Sequence, residues 1–207
     1  MRIVIFGSTG GTGRCLVDQA LALGHQVTAF ARNPSSILVH HENLTVLQGD
    51  VLEPAKVDAA VQGQESVLSA LGSGLRAGNH VVSDGTRNIL AAMERLGARR
   101  FVCESSFGVG DTFGDASTMS RFVFNTLLKN AFADKVIQES YIRESKVEWI
   151  VVRPTALTNG SRTGRYRVAE HMHVGLSAKI SRADVADFML NQLTDDTWLR
   201  KFPVITY

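Results

Sequence analysis

Directly behind an apolar run, the segment IVIFGSTGGTGR places Gly7, Gly10 and Gly13 at every third position. A glycine inside a helix or strand costs about 1 kcal/mol relative to alanine, so such a concentration must be offset by something the missing side chains permit. Two things are permitted here. The chain can turn sharply from a strand into a helix, and a ligand can approach the unpaired N–H groups at the helix start, where the helix dipole favours negative charge. Gly13 would in addition let the helix lie close against the sheet.

The rest of the chain fits a fold that begins this way. Apolar runs of strand length recur at 3–6, 27–31, 45–47, 66–71, 100–103 and 149–152. Several lack polar alternation, as expected of strands covered by helices on both faces of a parallel sheet. The spacing predicts helices over 11–23, stopped by Gly24, over 57–61, over 81–96, stopped by Gly97, and over 120–145. Ser181, three residues before Asp184, opens a further helix reaching Leu193, and a last strand is expected at 202–205. Strands alternating with helices indicate an α/β doubly wound parallel sheet, a Rossmann fold, with its ligand site at the carboxyl ends of the strands.

Length and composition set the outer bounds. The 207 residues, 44% hydrophobic and 20% charged, suit one domain, 1–207. A net charge of +2 with scattered Lys and Arg gives no nucleic-acid footprint. No apolar stretch approaches the roughly 18 residues of a membrane span, and no signal-peptide core follows Met1, so we expect a cytoplasmic protein without a membrane partner; a monomer is expected as well. Cys15 and Cys103 stand in no metal or redox spacing and read as reduced thiols.

A diphosphate fits the glycine turn, which predicts a dinucleotide site built from Gly7, Thr9, Gly10, Gly11, Thr12 and Gly13. Which dinucleotide depends on the end of the second strand, about 20 residues on, where an acidic residue would bind a free ribose 2′-hydroxyl. Arg32 stands there instead, in AFARNPSS. A guanidinium offers a forked contact to a phosphate, and Ser35 and Ser36 add donors, so NADPH is the expected cofactor. A solvated surface arginine is the plainer alternative. Asp50 and Val51 after the third strand, and Leu71, Gly72 and Ser73 after the fourth, would complete the cleft around the adenine, although each also reads as an ordinary loop.

These residues resemble an atypical short-chain dehydrogenase/reductase. The likeness rests on GSTGGTG, GDV, DGTRNILAAMERLGARRFVCESS, IRESKVEWIVVRPT and SRADVADFML, in family order over nearly the whole chain. Chain length and SRTGRYRV make it most similar to the biliverdin reductase B group of NADPH-dependent flavin reductases. Better known members carry a serine after the fifth strand and a Tyr-x-x-x-Lys pair on the next helix. Matched to that pattern, Ser106, with Ser105 beside it, takes the serine place and Lys135 the lysine place, but the tyrosine place is Ala131. Tyr141 offers no substitute, because Ser145 lies four residues on.

Loss of that tyrosine removes a general acid, a contribution of about 10²- to 10⁴-fold. The resemblance then implies hydride transfer to a planar conjugated acceptor that takes its proton from solvent, a flavin such as FMN or riboflavin, or a biliverdin-type linear tetrapyrrole. Lys135 and Ser106 would be the residues at the reaction centre, and Pro154, Thr155, Ala156 and Leu157 would lie along the nicotinamide. A substrate lip is expected mainly from 107–125 and 155–178, with Arg162, Arg165 and Arg167 facing either an anionic substrate or solvent. His171 and His173 form a His-x-His pair with no acidic or thiol cluster, and no metal is assigned. The rival expectation is an NADP(H)-binding redox sensor without turnover, a role known among NmrA-like relatives.

Overall fold

The computed structural model describes residues 1–72, 80–126, 128–175 and 177–207, with residues 123–125 described through their backbone alone. Ser73 lies outside the described residues. The chain begins β1 (Arg2–Phe6), α1 (Gly11–Ala22), β2 (Gln26–Ala31), β3 (Leu44–Gln48), α2 (Pro54–Val61), β4 (Ser66–Ser69), α3 (Val81–Leu96) and β5 (Arg100–Glu104). It continues α4 (Thr118–Thr126), α5 (Lys129–Glu144), β6 (Glu148–Pro154), β7 (Ala156–Thr158), β8 (Arg167–Ala169), β9 (Lys179–Ser181), α6 (Arg182–Asn191) and β10 (Val204–Thr206).

Eight strands form one sheet in the order β3-β2-β1-β4-β5-β6-β10-β8, parallel except where β8 runs antiparallel to β10. β1 sits in the middle because both of its faces are apolar. Ile3 and Ile5 point into a cluster with Leu16, Val17 and Val185 from α1 and α6, while Val4 and Phe6 meet Val57, Ile89 and Met93 from α2 and α3. Burial on both sides is what removed polar alternation from the strand. β3 is one of the two edge strands and is largely exposed. The order reverses between β1 and β4, so a crevice opens at their carboxyl ends.

The helices end where small residues release them. Gly24 follows α1 at φ 77°, and Gly97 closes α3 at φ 82°, both left-handed positions that glycine adopts without strain. The opening of α3 is capped from a distance: Asp134 on α5 accepts from the N–H groups of Val82 and Ser83, each at 3.1 Å. At α6 the Ser181 hydroxyl accepts from the Asp184 N–H at 3.0 Å, the expected capping arrangement. Cys103 is fully buried, and desolvation pushes its thiol up to about 12, while Cys15 is half-buried.

Two local expectations need correction, and one small sheet was not foreseen. The single helix over 120–145 is two, α4 and α5. β4 stops at Ser69, and its last expected residues turn out into the crevice. After β6, β7 and β9 pair in parallel as a separate small sheet, where three-residue strands are too short to show a period in sequence. Among the described residues no helix is long and apolar enough to cross a membrane.

Candidate functional site

A cleft of about 540 Å³ occupies the crevice beyond β1, β2, β4 and β5, within the usual range of a small-molecule site. The glycine turn forms its floor. Gly7 has φ 76°, and a Cβ there would stand 2.4 Å from the Ala70 carbonyl oxygen; on Gly13 it would lie 2.0 Å from the Gly7 carbonyl oxygen. Gly13 thus does not face the cleft but locks the first turn of α1 against the loop. α1 opens on Gly10 with no side-chain cap and no acidic residue in its first turn. Its leading N–H groups are left for a ligand, and the residues fit a bound diphosphate.

Most expected cofactor residues converge on this cleft. Gly7, Thr9, Gly10, Gly11 and Thr12 line it, with Arg32, Asp50, Val51, Leu71, Gly72, Ser105, Ser106, Lys135 and Leu157. Asp50 spends one carboxylate oxygen on the Leu52 N–H at 3.0 Å. Ser35 does not reach the cleft. It lies in a 3₁₀ turn over Pro34–Ser36, where its hydroxyl donates to Asn33 Oδ1 at 2.8 Å. Pro154, Thr155 and Ala156 are likewise away from the lining: Pro154 pairs with Ile205 in the sheet, and the Thr155 hydroxyl bonds that of Thr206 at 2.9 Å.

At the other end of the cleft Lys135 Nζ donates to the Glu104 carbonyl oxygen at 3.2 Å, and Ala131, one helical turn earlier, also lines the wall. Ser106 Oγ donates to the Phe107 carbonyl oxygen at 3.2 Å. Ser105 is buried and donates to Glu139 Oε1 at 2.6 Å, and Glu139 in turn receives Arg153, whose Nη2 reaches Oε2 at 2.6 Å. Arg153 also bonds Asp111, so the loop after β5 is anchored on a buried cation. All three tyrosines are engaged elsewhere: Tyr141 against the Arg87 guanidinium, Tyr166 with Asp187 and Tyr207 with Asp184.

Two charged lining residues were missed in the sequence. Glu104 is buried at the end of β5 and accepts from the Thr12 hydroxyl at 3.0 Å. Burial raises its carboxyl above the ordinary range, against the opposing pull of Lys135 and the Thr12 hydroxyl. Arg182, the first residue of α6, lies across Gly11. The lip segments contribute less than expected. Arg162 pairs with Asp187, Arg167 donates to the Tyr207 carbonyl oxygen, and His171 bonds Asp115 at 3.0 Å. Among the described residues no three His, Cys, Asp or Glu side chains gather as a metal site.

Comparison with known proteins agrees with this geometry. The model of an NAD(P)H-binding family matches residues 7–196. A 3 beta-hydroxysteroid dehydrogenase/Delta 5→4-isomerase of Mycobacterium tuberculosis is 30% identical over 210 residues, an overlap of 88% of this chain but 56% of that enzyme. This chain therefore spans little more than half of that relative. Among solved structures, the anaerobilin reductase ChuY of Escherichia coli O157:H7 superposes with a TM-score of 0.84 at 22% identity, covering 99% of this chain and 96% of that one. A short-chain dehydrogenase/reductase of Veillonella parvula DSM 2008, solved in complex with NADP, gives 0.82 at 22% identity and covers 100% and 94%. At such identities the structural likeness is one of fold. The glycine turn, the sheet order and the matched family model together make this chain a member of the NAD(P)H-binding family.

Proposed function

We propose that the protein is an NADPH-dependent reductase that delivers a hydride to a flat conjugated acceptor, a flavin such as FMN or riboflavin or a biliverdin-type linear tetrapyrrole, with the proton drawn from solvent. The carrying observation is the make-up of the cleft wall beside Lys135. Ala131 stands where a phenol would have to be, and Leu128 and Phe132 extend an apolar surface next to it. A site without that acid suits an acceptor that spreads the incoming charge over its own ring nitrogens. The fold likeness to an anaerobilin reductase supports the same class of acceptor.

Bound here, a reduced nicotinamide supplies the hydride. The protein would contribute position: the glycine turn would hold the diphosphate, Arg32 would meet the 2′-phosphate, Lys135, held by the Glu104 carbonyl, would bind a ribose, and Ser106 would border the acceptor. Holding two flat rings face to face is catalysis by orientation.

The test is the loss of NADPH absorbance on adding FMN, riboflavin or biliverdin, with NADH in parallel. Oxidation by at least one acceptor, faster with NADPH, is expected. Tight coenzyme binding with no oxidation by any of them would instead support a redox sensor, which the same Ala131 also permits.

A further inference from the structure

We propose that Arg182 is a second diphosphate-binding residue, a cation carried in from the last helix to close over the glycine turn. The inference rests on the coenzyme reading above and adds to it a residue outside the amino-terminal motif.

Its position is set by Gly11. A Cβ on that glycine would meet Arg182 Cδ at 2.5 Å and Nε at 2.6 Å, so the arginine lies directly over the first residue of α1 and lines the cleft. Among the described residues Arg182 has no ion pair. Its hydrogen bond runs from Nη1 to the neutral Asn159 Oδ1 at 2.7 Å, which leaves further guanidinium donors available. Arg182 is also sited against local preference. As the first residue of α6 it places a positive charge at the positive end of the helix dipole. Asp184 in the same turn offsets part of that conflict, a bound anion would offset more, and a planar fork suits two phosphate oxygens.

The turn that carries Arg182 is firmly held. Two residues on, the buried Asp184 accepts from the N–H groups of Thr163 and Gly164 at 2.7 and 2.8 Å, from the Ser181 hydroxyl at 3.1 Å and from the Tyr207 hydroxyl at 2.6 Å. The Asn159 tether then fixes the guanidinium itself. Amides from α1 below and a guanidinium from α6 above would grip the part of the coenzyme that NADPH and NADH share.

The experiment is calorimetric titration of the full chain with NADPH and NADH. Arg182→Gln is expected to weaken both by a similar factor, about ten- to hundredfold, to flatten the salt dependence of binding, and to leave the NADPH/NADH ratio unchanged. Arg182→Lys should recover part of the loss. Asn159→Ala, which keeps the arginine but releases it, should weaken both coenzymes several-fold. Affinities within twofold of wild type in Arg182→Gln and Asn159→Ala would overturn the proposal, as would a loss confined to NADPH. If the wild-type chain takes up neither coenzyme, the underlying coenzyme reading fails first.

Discussion

The Thr12 hydroxyl donates to Glu104 Oε1 across 3.0 Å, fastening the first turn of α1 to the last residue of β5. Burial holds the Glu104 carboxyl above the ordinary value of 4.5, to which unfolding returns it. From 4.5 up to the raised native value the unfolded chain therefore binds fewer protons than the native one, and stability falls as pH rises. Glu104→Gln keeps an acceptor for Thr12 and removes the charge. It is expected to raise the melting temperature more at neutral pH than near pH 4.5; an equal rise at both, measured by thermal melts, contradicts this account.

Arg32 lines the cleft and is exposed, with no carboxylate partner among the described residues. Arg32→Ala should weaken NADPH about tenfold or more and leave NADH nearly unchanged. Equal losses in a binding titration would remove the 2′-phosphate assignment.

Lys135 is aimed by the Glu104 carbonyl rather than by a carboxylate. Lys135→Ala should weaken the coenzyme by about tenfold and slow turnover. Unchanged affinity and rate would make it a surface lysine.

Gly13 and Gly24 separate packing from backbone strain. Gly13→Ala drives a Cβ to within 2.0 Å of the Gly7 carbonyl oxygen, so a loss of about 2–3 kcal/mol together with coenzyme binding is expected. Gly24 has φ 77° but open space around it, so Gly24→Ala should cost about 1 kcal/mol and leave binding intact. Urea denaturation with parallel titration distinguishes the two.

Arg153 is completely buried and paired with Glu139, which also receives Ser105. Arg153→Met would strand a buried carboxylate and is expected to destabilise the fold by about 3–5 kcal/mol. A change below about 1 kcal/mol in urea denaturation would show that the pair is dispensable.

Local chemistry made much of this legible. The period of α3 and its Gly97 stop were readable to the residue, because an amphipathic helix and a left-handed cap are written in consecutive positions. The glycine turn was readable for the same reason. Arg182 and Glu104 were not, since their roles arise when α6 and β5 are brought beside Gly11 and Thr12, a relationship with no local spacing. The break between α4 and α5 was also invisible, as neither proline nor glycine lies between Thr126 and Lys129. Ser35 misled because a hydroxyl near Arg32 was as well placed to satisfy Asn33 as a phosphate.

Asp184 draws donors from three separate stretches of chain, and although burial alone would lift its carboxyl, the Tyr207 hydroxyl and the amides of Gly164 and Thr163 hold it below the ordinary range. The small sheet, the loop through Gly164 and Tyr207 are in this way tied to the turn that carries Arg182, and through it to the proposed coenzyme site. Sequence variation at Thr163 or Tyr207, well outside the cleft lining, should consequently surface as altered coenzyme retention and not as altered folding alone.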